Sequence, residues 1–166
     1  MFVCPKRAQS RSEAAKIGSR PWRHRSDCYV CRKQEGIEPP PSGGYSVEGK
    51  YFLVEHAPLK MSHVGTVIIQ SRRHLFDFGE MTSAESTEFG SIMRGLVPAV
   101  KAVTGADRIY YLSVNDHAPH FNLWLMPKGQ NTKLEPLPFL SRRPVPATKN
   151  GAEAISRKIR KRFDRS

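Results

Sequence analysis

Apolar and polar positions along the chain predict five short strands and one long helix. Tyr45 to Glu55 reads as a hairpin folded around Glu48-Gly49-Lys50. Val64 to Gln70, rich in β-branched residues, predicts a third strand. Thr82, with Glu85 three residues on, carries the signature of a capping box. Phe89, Ile92, Met93, Leu96, Val100 and Val103 then recur at helical spacing and define one buried stripe. Gly105 is a natural stop, and Pro98, inside the pattern, is expected to kink the helix. Arg108 to Val114 predicts a fourth strand and His120 to Met126 a fifth. Ala152 to Phe163 predicts a basic helix in which Ile155, Ile159 and Phe163, four apart, can dock on the domain. Pro39 to Gly44 is a loop by composition, and Pro5 and Pro21 break residues 1–26 into irregular chain. Three strands, a helix and two strands make an α+β class, with a five-stranded, mainly antiparallel sheet and the long helix packed on it.

Composition narrows this picture. A chain of 166 residues suits one core with room for extensions. Its longest apolar runs are strand-sized, so no membrane span is expected. No apolar segment follows the N-terminal charges, which argues against a secretory signal and for a soluble, cytoplasmic protein. Residues 1–26 hold seven Lys/Arg and one Glu, and residues 142–166 hold nine Lys/Arg and two acids. Residues 27–141 are nearly balanced, so the excess of positive charge lies at the two ends. We therefore expect a basic extension over 1–26, a domain over 27–141 and a basic tail with its helix over 142–166. A balanced middle speaks against a broad nucleic-acid face on the domain, whereas basic ends can add salt-sensitive affinity for phosphates. Cys4, Cys28 and Cys31 are too few and unevenly spaced for a disulfide framework, and they fit a reducing compartment.

Chemistry enters with Cys28-Tyr-Val-Cys31. Two thiolates this close can share one metal ion from a tight turn, although the same spacing serves redox sites. Zinc needs two more ligands. His74 follows Arg72-Arg73 just past the third strand, and His120 opens the fifth; both are well placed, with His56, His63 and His117 as alternatives on spacing. In the fifth strand, alternation sends Phe121, Leu123 and Leu125 towards the helix and His120, Asn122 and Trp124 to the opposite face, where they would line a pocket.

His120-Phe-Asn122-Leu-Trp124-Leu-Met126-Pro127-Lys128 resembles the last-strand pattern His-φ-His-φ-His-φ-φ of the histidine-triad superfamily, where φ is apolar. Gly65 to His74 is similar to that family's glycine, apolar strand and closing Arg-His, and the cysteine pair sits where its zinc-containing branches keep theirs. The similarity spans about residues 27–128. It implies a zinc ion held by Cys28, Cys31, His74 and His120, and a nucleotide bound on the sheet. Glu55 would meet the ribose hydroxyls, and Asn115 and His117, in the loop before the triad, would help hold phosphate. Relatives commonly form homodimers.

One departure from the pattern dominates. The middle triad position, the family's nucleophile, is Asn122, and the third is Trp124. Family chemistry is attack by the middle histidine on a nucleotide's α-phosphorus. A carboxamide has no such lone pair, and loss of a nucleophile costs on the order of 10⁴–10⁶ in rate. The amide would keep a hydrogen bond to phosphate, and His117 is the candidate for a substitute nucleophile. The expectation is a nucleotide hydrolase or nucleotidyl-transferase scaffold acting on nucleoside phosphates or phosphoramidates. Asn122 would then be either a replacement that traps ligand or the residue of an inactive member. The alternative is a non-enzymatic zinc protein that binds nucleotides or nucleic acid, the latter through its basic ends.

Overall fold

The computed structural model describes residues 25–116, 118–129, 132–133, 135–141 and 143–165. His117 and most of the N-terminal extension, with Pro5 and Pro21, lie outside the described residues. A short helix α1 (Tyr29–Gln34) precedes strands β1 (Tyr45–Glu48), β2 (Phe52–His56) and β3 (Val67–Ser71). The long helix α2 (Ser83–Thr104) follows, then β4 (Ala106–Leu112), β5 (Asn122–Gly129), a short α3 (Pro136–Ser141) and the C-terminal α4 (Lys149–Phe163). The strands form one antiparallel sheet in the order β1-β2-β3-β5-β4. Among the described residues, no helix is long and apolar enough to cross a membrane.

Helix α2 starts and stops where the sequence predicts. The Thr82 side chain accepts a hydrogen bond from the Glu85 backbone N–H, Glu85 reaches back to Thr82, and Gly105 ends the helix at φ 68°. A side chain would be strained at that left-handed position. The expected effect of Pro98 does not interrupt it, because the helix runs on through that residue. Pro98 is exposed, so water can reach the carbonyl its ring leaves without a donor. Strand bounds shift by a few residues. β3 begins at Val67 rather than Val64, since Gly65 turns the chain at φ 96°. β5 begins at Asn122 because the backbone N–H of Phe121 is spent on the Leu75 carbonyl (2.6 Å) rather than on the sheet. α1 and α3 were not expected from the pattern; at six residues each they are too short for a helical period to show.

Phe52, Val54, Val67, Ile69, Phe121, Leu123 and Leu125 face α2 and join Ile92, Leu96 and Val100 in the core. Phe121 sits edge-on to Phe52, Phe78 and Phe89, with ring centroids 4.9 to 6.0 Å away. Every residue of β2 and β3 is buried, because α2 and α4 cover one face of the sheet and α1 with later loops covers the other. The basic C-terminal helix docks through the predicted stripe: Ile159 is wholly buried in the core, with Ile155 and Phe163 packed beside it. Gly43, at φ 85°, presses against α4; a Cβ there would lie 2.9 Å from the Glu153 Cα. Arg160 then ties the loop down by donating to the carbonyls of Gly43 (3.2 Å) and Tyr45 (2.7 Å).

Two outcomes follow from this packing. Ile159→Ala is expected to destabilise the chain by about 2–5 kcal/mol, read as a lower urea midpoint at unchanged slope. Burial raises the Glu85 carboxyl, but hydrogen bonds from Arg73 and Thr82 outweigh it and hold the group below the usual range. A depressed acid stabilises above its unfolded pKa and loses that contribution as pH falls through its folded one. Glu85→Gln should therefore cost stability at pH 7, and the gap to the native chain should narrow as pH falls below about 4; denaturant titrations across pH check this.

Candidate functional site

Cys28, Cys31, His74 and His120 converge from three parts of the chain, their ligand atoms all within 4.8 Å of one another. Cys28 is the N-cap of α1 and Cys31 lies on its buried face, so one helical turn presents both sulfurs. Gln34, on the same helix, donates to the Ser71 carbonyl (2.9 Å) and fastens α1 to the end of β3. His74 lies in the loop after β3. Arg73 beside it grips both carboxylate oxygens of Glu85 (2.9 Å each), and Leu75 on its other side is fully buried. His120 is fully buried just ahead of β5, and its Nε2 lies 2.7 Å from the Ser71 carbonyl. That bond places the proton on Nε2 and leaves the Nδ1 lone pair towards the sulfurs.

The separations test whether a metal fits. Cys28 Sγ–His120 Nδ1, Cys31 Sγ–His74 Nδ1 and Cys31 Sγ–His120 Nδ1 are 3.5, 3.4 and 3.6 Å. A tetrahedral zinc with bonds of about 2.3 Å to sulfur and 2.0–2.1 Å to nitrogen sets such edges at about 3.5 Å. Burial pushes the Cys31 thiol up to about 11, and a bound cation would favour its thiolate. The residues present fit the ion.

Of the histidines named as alternatives, the two among the described residues, His56 and His63, lie away from the cluster. His56 sits at the far end of β2, with Nδ1 bonded to the Ala57 carbonyl (2.7 Å) and Nε2 accepting from the Gly65 N–H (3.0 Å). Burial lowers its pKa, in keeping with a neutral ring. His63 Nδ1 accepts from the Val145 N–H (3.2 Å) at the rim of a cavity.

That cavity, about 410 Å³, lies on the sheet face opposite α2. Glu55, Ile68 and Trp124 run across its floor, set side by side by the pairings Glu55–Ile68 and Ile68–Trp124. Phe139 and Leu140 of α3 and Pro144 after it form an apolar wall. Volume and lining suit a small ligand with a flat apolar part. Glu55 is not a free acid: Lys33 of α1 donates to its Oε1 (2.5 Å) and also to Gln70 (3.3 Å), and the pair is almost wholly buried. Burial raises the Glu55 pKa, against the attraction of Lys33. Its Oε2 is buried with no hydrogen-bond partner among the described residues, which leaves one acceptor for a ligand donor. Sequence reasoning missed Lys33; its place on α1 with the cysteines was the only signal.

Asn122 lines the same cavity, and its side chain is fully engaged. Nδ2 donates to Asn115 Oδ1 (2.8 Å) and the His120 carbonyl (3.0 Å), with the Val114 carbonyl at 3.3 Å. Oδ1 accepts from the Trp124 indole (3.1 Å), an N–H donor that fixes which way the amide points. Asn115 in turn donates to the Phe76 carbonyl (2.6 Å). The expected amide bond to phosphate has no hydrogen left to make it. Asn122 is a strut joining β5, the loop before it and the loop that carries His74.

Solved structures share this architecture. A hypothetical histidine triad nucleotide-binding protein of Sulfolobus tokodaii superposes with TM-score 0.65 and 14% identity, over 83% of this chain and 93% of that one. A zinc-bound histidine triad family protein of Mycobacterium smegmatis gives 0.63 and 16%, over 84% and 94%. A Hit-like protein involved in cell-cycle regulation from Bartonella henselae gives 0.64 and 13%, over 82% and 96%. The chain has the histidine-triad fold. No protein-family model and no curated protein sequence matches it. β5 and the two residues ahead of it, the segment that resembles the triad pattern in sequence, read His120, Asn122, Trp124 on the site face.

The cluster generates a metal prediction. One zinc per chain is expected by elemental analysis, lost in Cys31→Ser. Chelation should lower the melting temperature by roughly 10 °C, corresponding to about 3 kcal/mol in a domain of this size.

Proposed function

We propose that this chain is a zinc-stapled nucleotide-binding protein of histidine-triad type that holds its ligand without histidine-mediated nucleotidyl transfer. Cys28, Cys31, His74 and His120 would hold the zinc, whose part with four protein ligands is structural, joining α1 to the sheet. The cavity would receive the nucleoside, its flat base against Trp124 and the apolar wall of α3. The orphaned Oε2 of Glu55 suits a ribose hydroxyl or another ligand donor.

The observation that carries this reading is the saturated carboxamide of Asn122. It supplies no nucleophile, its hydrogens are committed to protein acceptors, and it braces the walls of the site. Such a residue keeps the cavity in shape for binding and leaves the family's covalent step without its attacking atom.

Nucleoside monophosphates are expected to raise the melting temperature of the zinc-loaded chain in a dose-dependent way. The native chain should show no cleavage of an adenosine phosphoramidate followed by phosphorus NMR. Asn122→His is expected to gain cleavage by on the order of 10⁴ or more. Turnover by the native chain as fast as by Asn122→His would sink the proposal.

A further inference from the structure

A second concavity, about 620 Å³, lies away from the first, between α2 and α4. Two stripes of helical spacing border it. Gly95, Pro98, Ala99, Ala102 and Val103 of α2 form one wall, and Lys158, Lys161 and Arg162 near the end of α4, with Arg165 in the turn after it, form a wall of cations. The α2 residues 95, 98, 99 and 102 run i, i+3, i+4, i+7 along one side of that helix, and Lys158, Lys161 and Arg162 share one side of α4, with Arg165 continuing the row in the turn beyond it. All four cations are exposed, and among the described residues none takes part in an ion pair. No acidic side chain lines the groove among the described residues.

The other basic residues of α4 show that this sorting is not general. Arg160 points the other way and is spent on the carbonyls of Gly43 and Tyr45, Lys149 is 3.9 Å from Glu153, and Arg157 is exposed but does not line the groove. Bases in a last helical turn are favoured by the helix dipole. That effect explains Lys161 and Arg162, but it fades within a turn and does not select the side that faces a groove.

We propose that the α2–α4 groove binds the sugar-phosphate backbone of a single-stranded nucleic acid, a site separate from the sheet-face cavity. From residue 158 to 165 the cation row spans about 10 Å along the axis, at about 1.5 Å per residue. About four phosphates, one per cation, span that length at the ~3.4 Å spacing of charges along one stacked strand. A duplex is disfavoured by shape. A helix that enters a major groove must project, whereas α4 lies against the domain with Ala152, Ser156 and Ile159 buried. A bilayer is disfavoured because an interfacial helix inserts its apolar face, and Ile155, Ile159 and Phe163 are turned into the core. No aromatic ring lines the groove among the described residues, so bases have nothing there to stack on. Binding should be indifferent to sequence and governed by salt.

The test is fluorescence anisotropy of the full, zinc-loaded chain with labelled single-stranded oligonucleotides of about 12 residues, uridine-rich and adenosine-rich, across potassium chloride concentrations. Each cation of the row changed to Gln should lower the slope of log K against log salt by about 0.7, the single-strand value per phosphate contact. The four changes together should weaken binding at low salt at least tenfold, with the melting temperature lowered by only a few degrees through the lost dipole interactions of Lys161 and Arg162. Lys60→Gln, an equal loss of charge elsewhere, should leave the slope nearly unaltered. Binding should also survive saturating nucleoside monophosphate and the cavity variant Trp124→Ala; loss in either places the strand in the sheet-face cavity and overturns the groove. A quadruple variant that binds with the native slope overturns it too, since the charge would then act from other parts of the chain. If the quadruple variant does not fold, the four single changes decide by the same slope. Tighter binding of a duplex of the same sequence, or groove-dependent binding to phosphatidylserine vesicles without oligonucleotide binding, equally refutes it.

Discussion

The antiparallel register that sets Gln70 opposite Asn122 is the constraint on which the rest of the structure depends. It sends Phe121 and Leu123 into the core under α2 and leaves His120, Asn122 and Trp124 for the other face. A slip of one residue would exchange the faces, burying an imidazole and a carboxamide among aromatic rings. The register is held at its entrance by the bond from the Phe121 N–H to the Leu75 carbonyl. That bond couples the core to the loop carrying His74, so the core sets where two of the four candidate ligands lie.

The site face is built from buried polar groups, and burial makes each one depend on its neighbours. Lys33 and Glu55 are tolerable inside only as a pair, with Gln70 sharing the ammonium. Asn122 is tolerable because donors and acceptors on three segments satisfy it. These networks add little net stability, yet they hold cavity walls from different parts of the chain at fixed separations. Walls fixed in this way keep the cavity in one shape.

Helix α4 divides its residues between two tasks. Ile155, Ile159 and Phe163 dock it on the core, Arg160 secures the loop before β1, and Lys158, Lys161 and Arg162 line the α2 groove with Arg165 just beyond the helix. The basic character of this helix and its integration into the fold are therefore compatible, since each occupies a different side.

The sequence by itself determined what local rules control. Thr82, Glu85 and Gly105 bound α2 because caps depend on residues three or four apart. Alternation in 121–125 sorted core from site because strand geometry has a period of two. The cysteine pair announced a metal site and local position favoured His74 and His120, but spacing left His56, His63 and His117 as alternatives, because the distance between two segments in space is not written in either of them. Tertiary structure alone decided the Lys33–Glu55 pair, the saturation of Asn122, the wall that α3 adds to the cavity and the cation row opposite α2. Each of these joins segments distant in sequence, and such contacts are set by how sheet and helices pack rather than by any pattern within one segment.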